Sequence, residues 1–139
     1  VKGNYDPKEK LYLFRQNYNA SRGKEIFLSF CAQGASASGG ENIPGRLHSL
    51  LRLRLTSQNT AIIREIHTYG QLHPIDGSST AITSPQHRGL GKKLVQEAEG
   101  ITRKEFGLKK IAVISGVGVR DYWRHLDYQL ENTYMVKKI

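Results

Sequence analysis

The apolar residues of this chain change period once, and that change limits what it can become. From Glu25 to Tyr69 they recur at every second position: Ile26, Leu28 and Phe30, then Leu51, Leu53 and Leu55 alternating with Arg52 and Arg54. That is the spacing of half-buried strands, whose successive side chains point to opposite faces. Past Gly89 the period becomes helical, with Leu90, Leu94, Val95, Ala98, Ile101 and Phe106 on one stripe until Gly107 stops the run. A strand-rich first half joined to a long amphipathic helix requires a helix packed on a sheet.

The remaining segments fill out this layout. Leu11–Ala20 and Glu25–Gln33 read as strands separated by the turn Ser21-Arg22-Gly23-Lys24. The Gly/Ser/Ala-rich stretch from Gly34 to Gly45 has little to bury and reads as a mobile loop. Ala61–Tyr69 alternates strictly, which places Ile63, Glu65, His67 and Tyr69 on one face and Ile62, Arg64, Ile66 and Thr68 on the other. A loop with Pro74, Gly77 and Pro85 leads to the helix, then Lys110–Ser115 reads as a short buried strand. A second helix is expected over Val119–Leu126, and strands over Tyr128–Leu130 and Tyr134–Val136. The fold class is mixed α/β (α+β), with one curved, largely antiparallel sheet. Residues 1–10 form a charged arm and 11–139 one domain, since 139 residues are too few for two ordinary ones. The chain begins at Val1 without a methionine, as a piece cut from a longer protein does.

Composition removes several functions. No apolar run approaches the roughly 20 residues of a membrane helix, and no secretory segment opens the chain. Cys31 is the only cysteine, so an internal disulfide, an iron–sulfur cluster or a multi-cysteine zinc site is excluded within this chain, and a reducing, cytoplasmic setting is expected. The five histidines show no metal-binding cadence, and no metal is expected. Lys and Arg total 21 against 12 acidic residues, a net charge of +9, which favours polyanionic partners such as RNA.

The segment Gln86-His87-Arg88-Gly89-Leu90-Gly91-Lys92-Lys93 sits where a loop enters the long helix. The first turn of a helix has N–H groups without intrahelical acceptors, and its dipole favours an anion. Glycines there let a phosphate approach the main chain, while Arg88, Lys92 and Lys93 add positive charge. By spacing alone, a plain glycine-containing helix start with a basic turn fits equally well.

The Q-x-x-G-x-G pattern with its helix resembles the coenzyme A pyrophosphate loop of GNAT acetyltransferases. A narrower match follows. Ala112–Arg124, Tyr134–Lys138, Arg64–Gly70 and Leu50–Arg54, all in order, resemble the acetyltransferase domain of the Elongator protein 3 family. The resemblance implies a GNAT acyltransferase fold and acetyl-CoA as cosubstrate. It also implies a role in wobble-uridine modification of tRNA, with tRNA and Elongator-type subunits as partners. A radical S-adenosylmethionine domain with an iron–sulfur cluster is expected upstream, outside this chain. By the same resemblance Glu65, Ile66, His67 and Thr68 line the acetyl-pantetheine arm, and Pro85, Gln86, His87, Arg88, Gly89, Leu90, Gly91 and Lys92 hold the pyrophosphate. His67 is expected to carry a proton and Glu65 to position water. Trp123 stands where the family has a tyrosine able to protonate the leaving thiolate. An indole N–H is no practical acid, which leaves two readings at this position: Tyr122 substitutes as the catalyst, or Trp123 packs on the cofactor. Pro85 replaces a frequent aromatic residue and Asp127 a usual glycine. Two other functions stay open at this point: a stand-alone lysine or amine N-acetyltransferase, and a non-catalytic RNA-binding module.

Overall fold

The computed structural model describes residues 9–34, 43–69 and 89–139. Among them seven strands form one sheet in the order β1-β2-β3-β4-β5-β7-β6. The strands are β1 (Tyr12–Ala20), β2 (Gly23–Gln33), β3 (Pro44–Thr56), β4 (Ala61–Thr68), β5 (Lys110–Ile114), β6 (Gln129–Glu131) and β7 (Tyr134–Lys138). Every pairing is antiparallel except β4 with β5, which is parallel. That exception follows from the connection: helix α1 (Leu90–Lys104) lies between the two strands in sequence, and a crossover of that length returns the chain parallel. A mixed α/β domain with a mostly antiparallel sheet is thus the fold.

The helical stripe read from the sequence is the buried one. Leu90, Leu94, Val95, Ala98 and Ile101 are at most 4% exposed, and the last four share one core cluster with Ile26, Leu28, Leu51, Leu53 and Ile63 from the sheet. Removing such a large apolar side chain from water contributes about 1.5–3 kcal/mol. Thr102, also buried in α1, donates its hydroxyl back to the Ala98 carbonyl at 2.8 Å, so no polar group is left unpaired there. The far end of the sheet is tied to the helix by Glu99, which accepts from the Tyr128 hydroxyl at 2.7 Å and from Lys137 Nζ at 3.2 Å. Burial, with Glu99 beside it, pushes the Tyr128 phenol well above its usual range and keeps it a donor.

Several boundaries differ from the sequence expectation. β3 starts at Pro44, well before the Leu51–Leu55 alternation, and pairs Pro44 with Gln33 after register shifts around Cys31. The first turn is only Ser21-Arg22, because Gly23 and Lys24 already belong to β2. The second helix is a 3-10 turn, Val117–Val119, running into α2 (Arg120–His125). The loop expectation for 35–42 lies outside the described residues.

The largest correction concerns β4. Its alternation does not persist, because the β3–β4 register skips Arg64: Leu53 pairs with Ile63 and Arg52 with Glu65. The extra residue is a β-bulge, and it exchanges the two faces of the strand. Ile66 therefore joins Ile63 on the α1 side, opposite Leu51, while Glu65 and His67 turn to the other side beside Arg52 and Leu50.

Candidate functional site

The bulge sits where the sheet comes apart. Parallel pairing of β4 with β5 covers only Ala61–Ile63 against Ile111–Val113. From Arg64 onward the edge of β4 that faces β5 has no strand partner among the described residues. The two strands part around a groove of about 240 Å3, with residues 64–67 on one wall and Ile114, Ser115, Gly116, Val119 and Trp123 on the other. An unpaired strand edge beside a groove is where an extended amide chain can add its own hydrogen bonds.

Helix α1 begins beside this opening. Its N-cap is Gly89, in the left-handed conformation with φ 61°, and among the described residues no side chain caps the first turn. No acidic residue lies in that turn, and Lys92 and Lys93 are exposed on it. Among the described residues, a Cβ on Gly89 would meet nothing within 4 Å. Gly91 differs. A Cβ there would stand 2.9 Å from the Tyr122 hydroxyl, 3.6 Å from Ile66 Cδ1 and 3.7 Å from Thr68 Oγ1. Gly91 thus lets α2, α1 and the end of β4 close together, which spacing alone could not reveal. Of the expected phosphate loop, Gly89, Leu90, Gly91 and Lys92 are placed at the helix start, whereas Pro85, Gln86, His87 and Arg88 lie outside the described residues.

The expected catalytic residues fall into two groups. Glu65 and His67 meet: His67 Nε2 is 3.0 Å from Glu65 Oε1. Both are partly exposed, and the His67 ring stacks on Tyr69 with centroids 6.1 Å apart. Tyr122 lies across β4 from them, its hydroxyl at the first turn of α1. Burial raises the pKa of that phenol, so at neutral pH it is a hydrogen-bond donor. Trp123 is 2% exposed and sits in the core, edge-on to both Tyr122 and Tyr128, with part of its surface lining the groove. Asp127 keeps the turn that a glycine would make. It adopts φ 71°, with its N–H on the Arg124 carbonyl and that of Tyr128 on the Trp123 carbonyl, the two bonds that close a helix end in a left-handed cap.

Two residues missed by sequence reasoning shape the site. Ser49, fully buried on β3, donates its hydroxyl to the His67 carbonyl at 2.9 Å and lies 3.1 Å from the Thr68 hydroxyl. It fixes the end of β4. Arg52 places Nη2 3.6 Å from Glu65 Oε2. Its alternation with leucines marked it as a solvent-facing strand residue, and no local signal named its partner.

A sheet opened at one seam beside a glycine-led helix defines the class of this domain: mixed α/β, with a groove between β4 and β5. The comparisons then narrow it. No family model matches the chain. The sequence is 41% identical over 138 residues to the tRNA uridine(34) acetyltransferase of Dehalococcoides mccartyi, covering 91% of this chain and 28% of that protein. It is 43% identical over 136 residues to Elongator complex protein 3 of Homo sapiens, covering 91% of this chain and 23% of that protein. Among solved structures, archaeal Elp3 of Methanocaldococcus infernus with an N-terminal deletion (1–46) superimposes with a TM-score of 0.72 at 36% identity, over 96% of this chain and 31% of that one. The resemblance to the Elongator protein 3 family is therefore borne out, and this chain spans about a quarter of the length of the curated relatives it matches.

Proposed function

We propose that this chain is the acetyl-CoA-binding, GNAT-type domain of a tRNA wobble-uridine-modifying enzyme. The observation that carries the reading is the parting of β4 from β5 directly beside the glycine-led start of α1. Its support from relatives is the similarity to a tRNA uridine(34) acetyltransferase and to Elongator complex protein 3.

The residues present fit such a ligand. First-turn N–H groups of α1, which no side chain among the described residues caps, suit a diphosphate, and Lys92 adds charge there. The family resemblance assigns Pro85, Gln86, His87 and Arg88 to the same pyrophosphate loop. The free edge of β4 from Glu65 to Thr68 suits the amides of a pantetheine arm. Acetyl-CoA supplies an activated thioester. Toward it the chain offers His67 as proton acceptor, Glu65 to orient the imidazole and a water, and the protonated Tyr122 hydroxyl as donor. Trp123 seals the groove wall from the core side.

Uridine modification needs more than this chain. Cys31 is a lone, buried cysteine, so the S-adenosylmethionine and iron–sulfur chemistry belongs on an upstream domain. With tRNA and Elongator-type subunits as partners, the setting is the cytoplasm. The test is coenzyme A calorimetry together with acetyl-CoA hydrolysis, with and without tRNA, on this chain. Saturable binding with hydrolysis stimulated by tRNA is expected. Transfer of the acetyl group to lysine peptides instead would favour a stand-alone N-acetyltransferase, and tight RNA binding without coenzyme A affinity would leave an RNA-binding module.

A further inference from the structure

We propose that Glu25, two strands away from the groove, is a positioning residue for the Glu65–His67 pair. The inference rests on the reading of β4 as the strand that carries the reacting thioester. Glu25 is only 8% exposed, on the side of β2 turned away from α1. A buried carboxylate is costly unless it is paired. Here it gathers three guanidiniums: Arg54 Nη1 at 3.3 Å, Arg64 Nη1 at 3.6 Å and Arg52 Nε at 3.8 Å.

Each arginine carries the hold somewhere different. Arg54 donates to the carbonyls of Ala20 at 3.1 Å and Ser21 at 2.8 Å, so its own place is fixed by main chain. Arg64 is the residue that the β3–β4 register skips, so its tether reaches across β3 and holds the bulge. Arg52 reaches on to Glu65 Oε2 at 3.6 Å, and the other oxygen of Glu65 meets His67 Nε2 at 3.0 Å. Any one of these partly exposed pairs contributes little alone. What they share is one buried carboxylate, and the chain of contacts runs in one direction, ending on the exposed imidazole. A carboxylate on Nε2 requires that nitrogen to hold the proton in the neutral ring and leaves Nδ1 as the free base. Glu25 thereby sets both the face from which His67 projects and the nitrogen it offers.

The test combines two readouts on Glu25→Gln. In the wild-type chain, nitrogen-15 spectra of labelled histidine should show His67 in the Nε2–H form. The variant should mix the two tautomers and lower kcat for acetyl-CoA hydrolysis about tenfold, less than the roughly 100-fold or more that the acid–base group itself contributes, with KM and coenzyme A affinity within about twofold. Unchanged tautomer and kcat would overturn the proposal, as would a fall in coenzyme A affinity that matches the fall in kcat. If Glu25→Gln does not fold, Arg52→Gln and Arg64→Gln on the exposed side decide, with the same signature expected and its absence fatal. A wild-type chain without hydrolysis would count against the proposed function, while the tautomer spectra would still judge Glu25.

Discussion

The two ends of the sheet make opposite uses of the same materials. The larger cavity, about 630 Å3, lies at the hairpin end, between the β1–β2 turn, the β3–β4 turn and residues Phe106 and Leu108 past α1. The groove between β4 and β5 is less than half that size. Yet the hairpin end brings together Arg22, Lys24 and small amides or hydroxyls, with no carboxylate, imidazole or phenol lining it. Among the described residues, the groove end has an imidazole paired to a carboxylate, a half-buried phenol, a helix start without a side-chain cap and an unpaired strand edge. Convergence of groups that can bind or move a proton, not volume, is what singles out the groove as the candidate. Left-handed residues divide in the same way: at the helix start the position is glycine, Gly89, while at the hairpin end Ser21, Arg22 and Asn59 carry side chains at positive φ.

The largest effect should come from charge at Gly89. Gly89→Asp is expected to weaken coenzyme A binding about 300-fold, about 3.4 kcal/mol, because a carboxylate would meet the diphosphate at the helix start. Gly89→Asn has nearly the same shape and tolerates the left-handed conformation, so it should lose under about tenfold. Calorimetry on both separates charge from backbone geometry. Equal losses would remove the anion from the assignment and make the two ends of the molecule alike.

The next effect is catalytic. His67→Ala should lower single-turnover acetyl-CoA hydrolysis about 100-fold, the low end for a positioned acid–base group, while coenzyme A affinity holds. Unaltered turnover would take His67 out of the chemistry and leave the groove as a binding cleft. A smaller effect tests the crowding at Gly91. A methyl there would press on the Tyr122 hydroxyl, 2.9 Å away, at the tip of a side chain that can shift. Gly91→Ala should weaken coenzyme A binding about fivefold, about 1 kcal/mol, and adding Tyr122→Phe should restore most of it. Additive losses in the double variant would show that the two groups do not meet.

How much of this was legible follows from which interactions are local. The helical stripe from Leu90 to Ile101 and the alternation at Leu51–Leu55 are statements about period, and the buried faces agree with them. The two glycines, Gly89 and Gly91, were readable as the start of a helix, where Gly89 is the N-cap, but their spacing alone does not distinguish a phosphate cradle from a plain glycine-containing turn. The face of Glu65 and His67 was not: alternation assigned them to the side of Ile63, and one bulged residue, Arg64, with no glycine or proline to announce it, reversed the assignment. Pro44 and Gly45 look like loop residues, yet β3 includes them, because pairing with Gln33 outweighs local preference. Ser49 under His67, Tyr122 beside Gly91 and the three arginines on Glu25 are meetings of residues distant in the chain. Periodicity carries no information about those.

The smallest effect belongs to the hairpin end, and it asks whether the two ends are independent. Ser21 and Arg22 occupy a two-residue turn between Ala20 and Gly23 with φ 44° and 65°, a conformation that suits glycine at the second position. Arg54 holds the turn by donating to the carbonyls of Ala20 and Ser21, which offsets the strain. Arg22→Gly relieves the left-handed side chain without touching those bonds, so it should stabilise the fold by about 1 kcal/mol, or about 3 °C in Tm for a chain of this length. The gain stays below the full steric relief because glycine also adds freedom to the unfolded chain. Coenzyme A affinity and acetyl-CoA hydrolysis should not change. A variant that gains stability and loses turnover would mean that the turn, Arg54 and Glu25 transmit strain along the charged face to β4, and the two ends would have to be treated as one device.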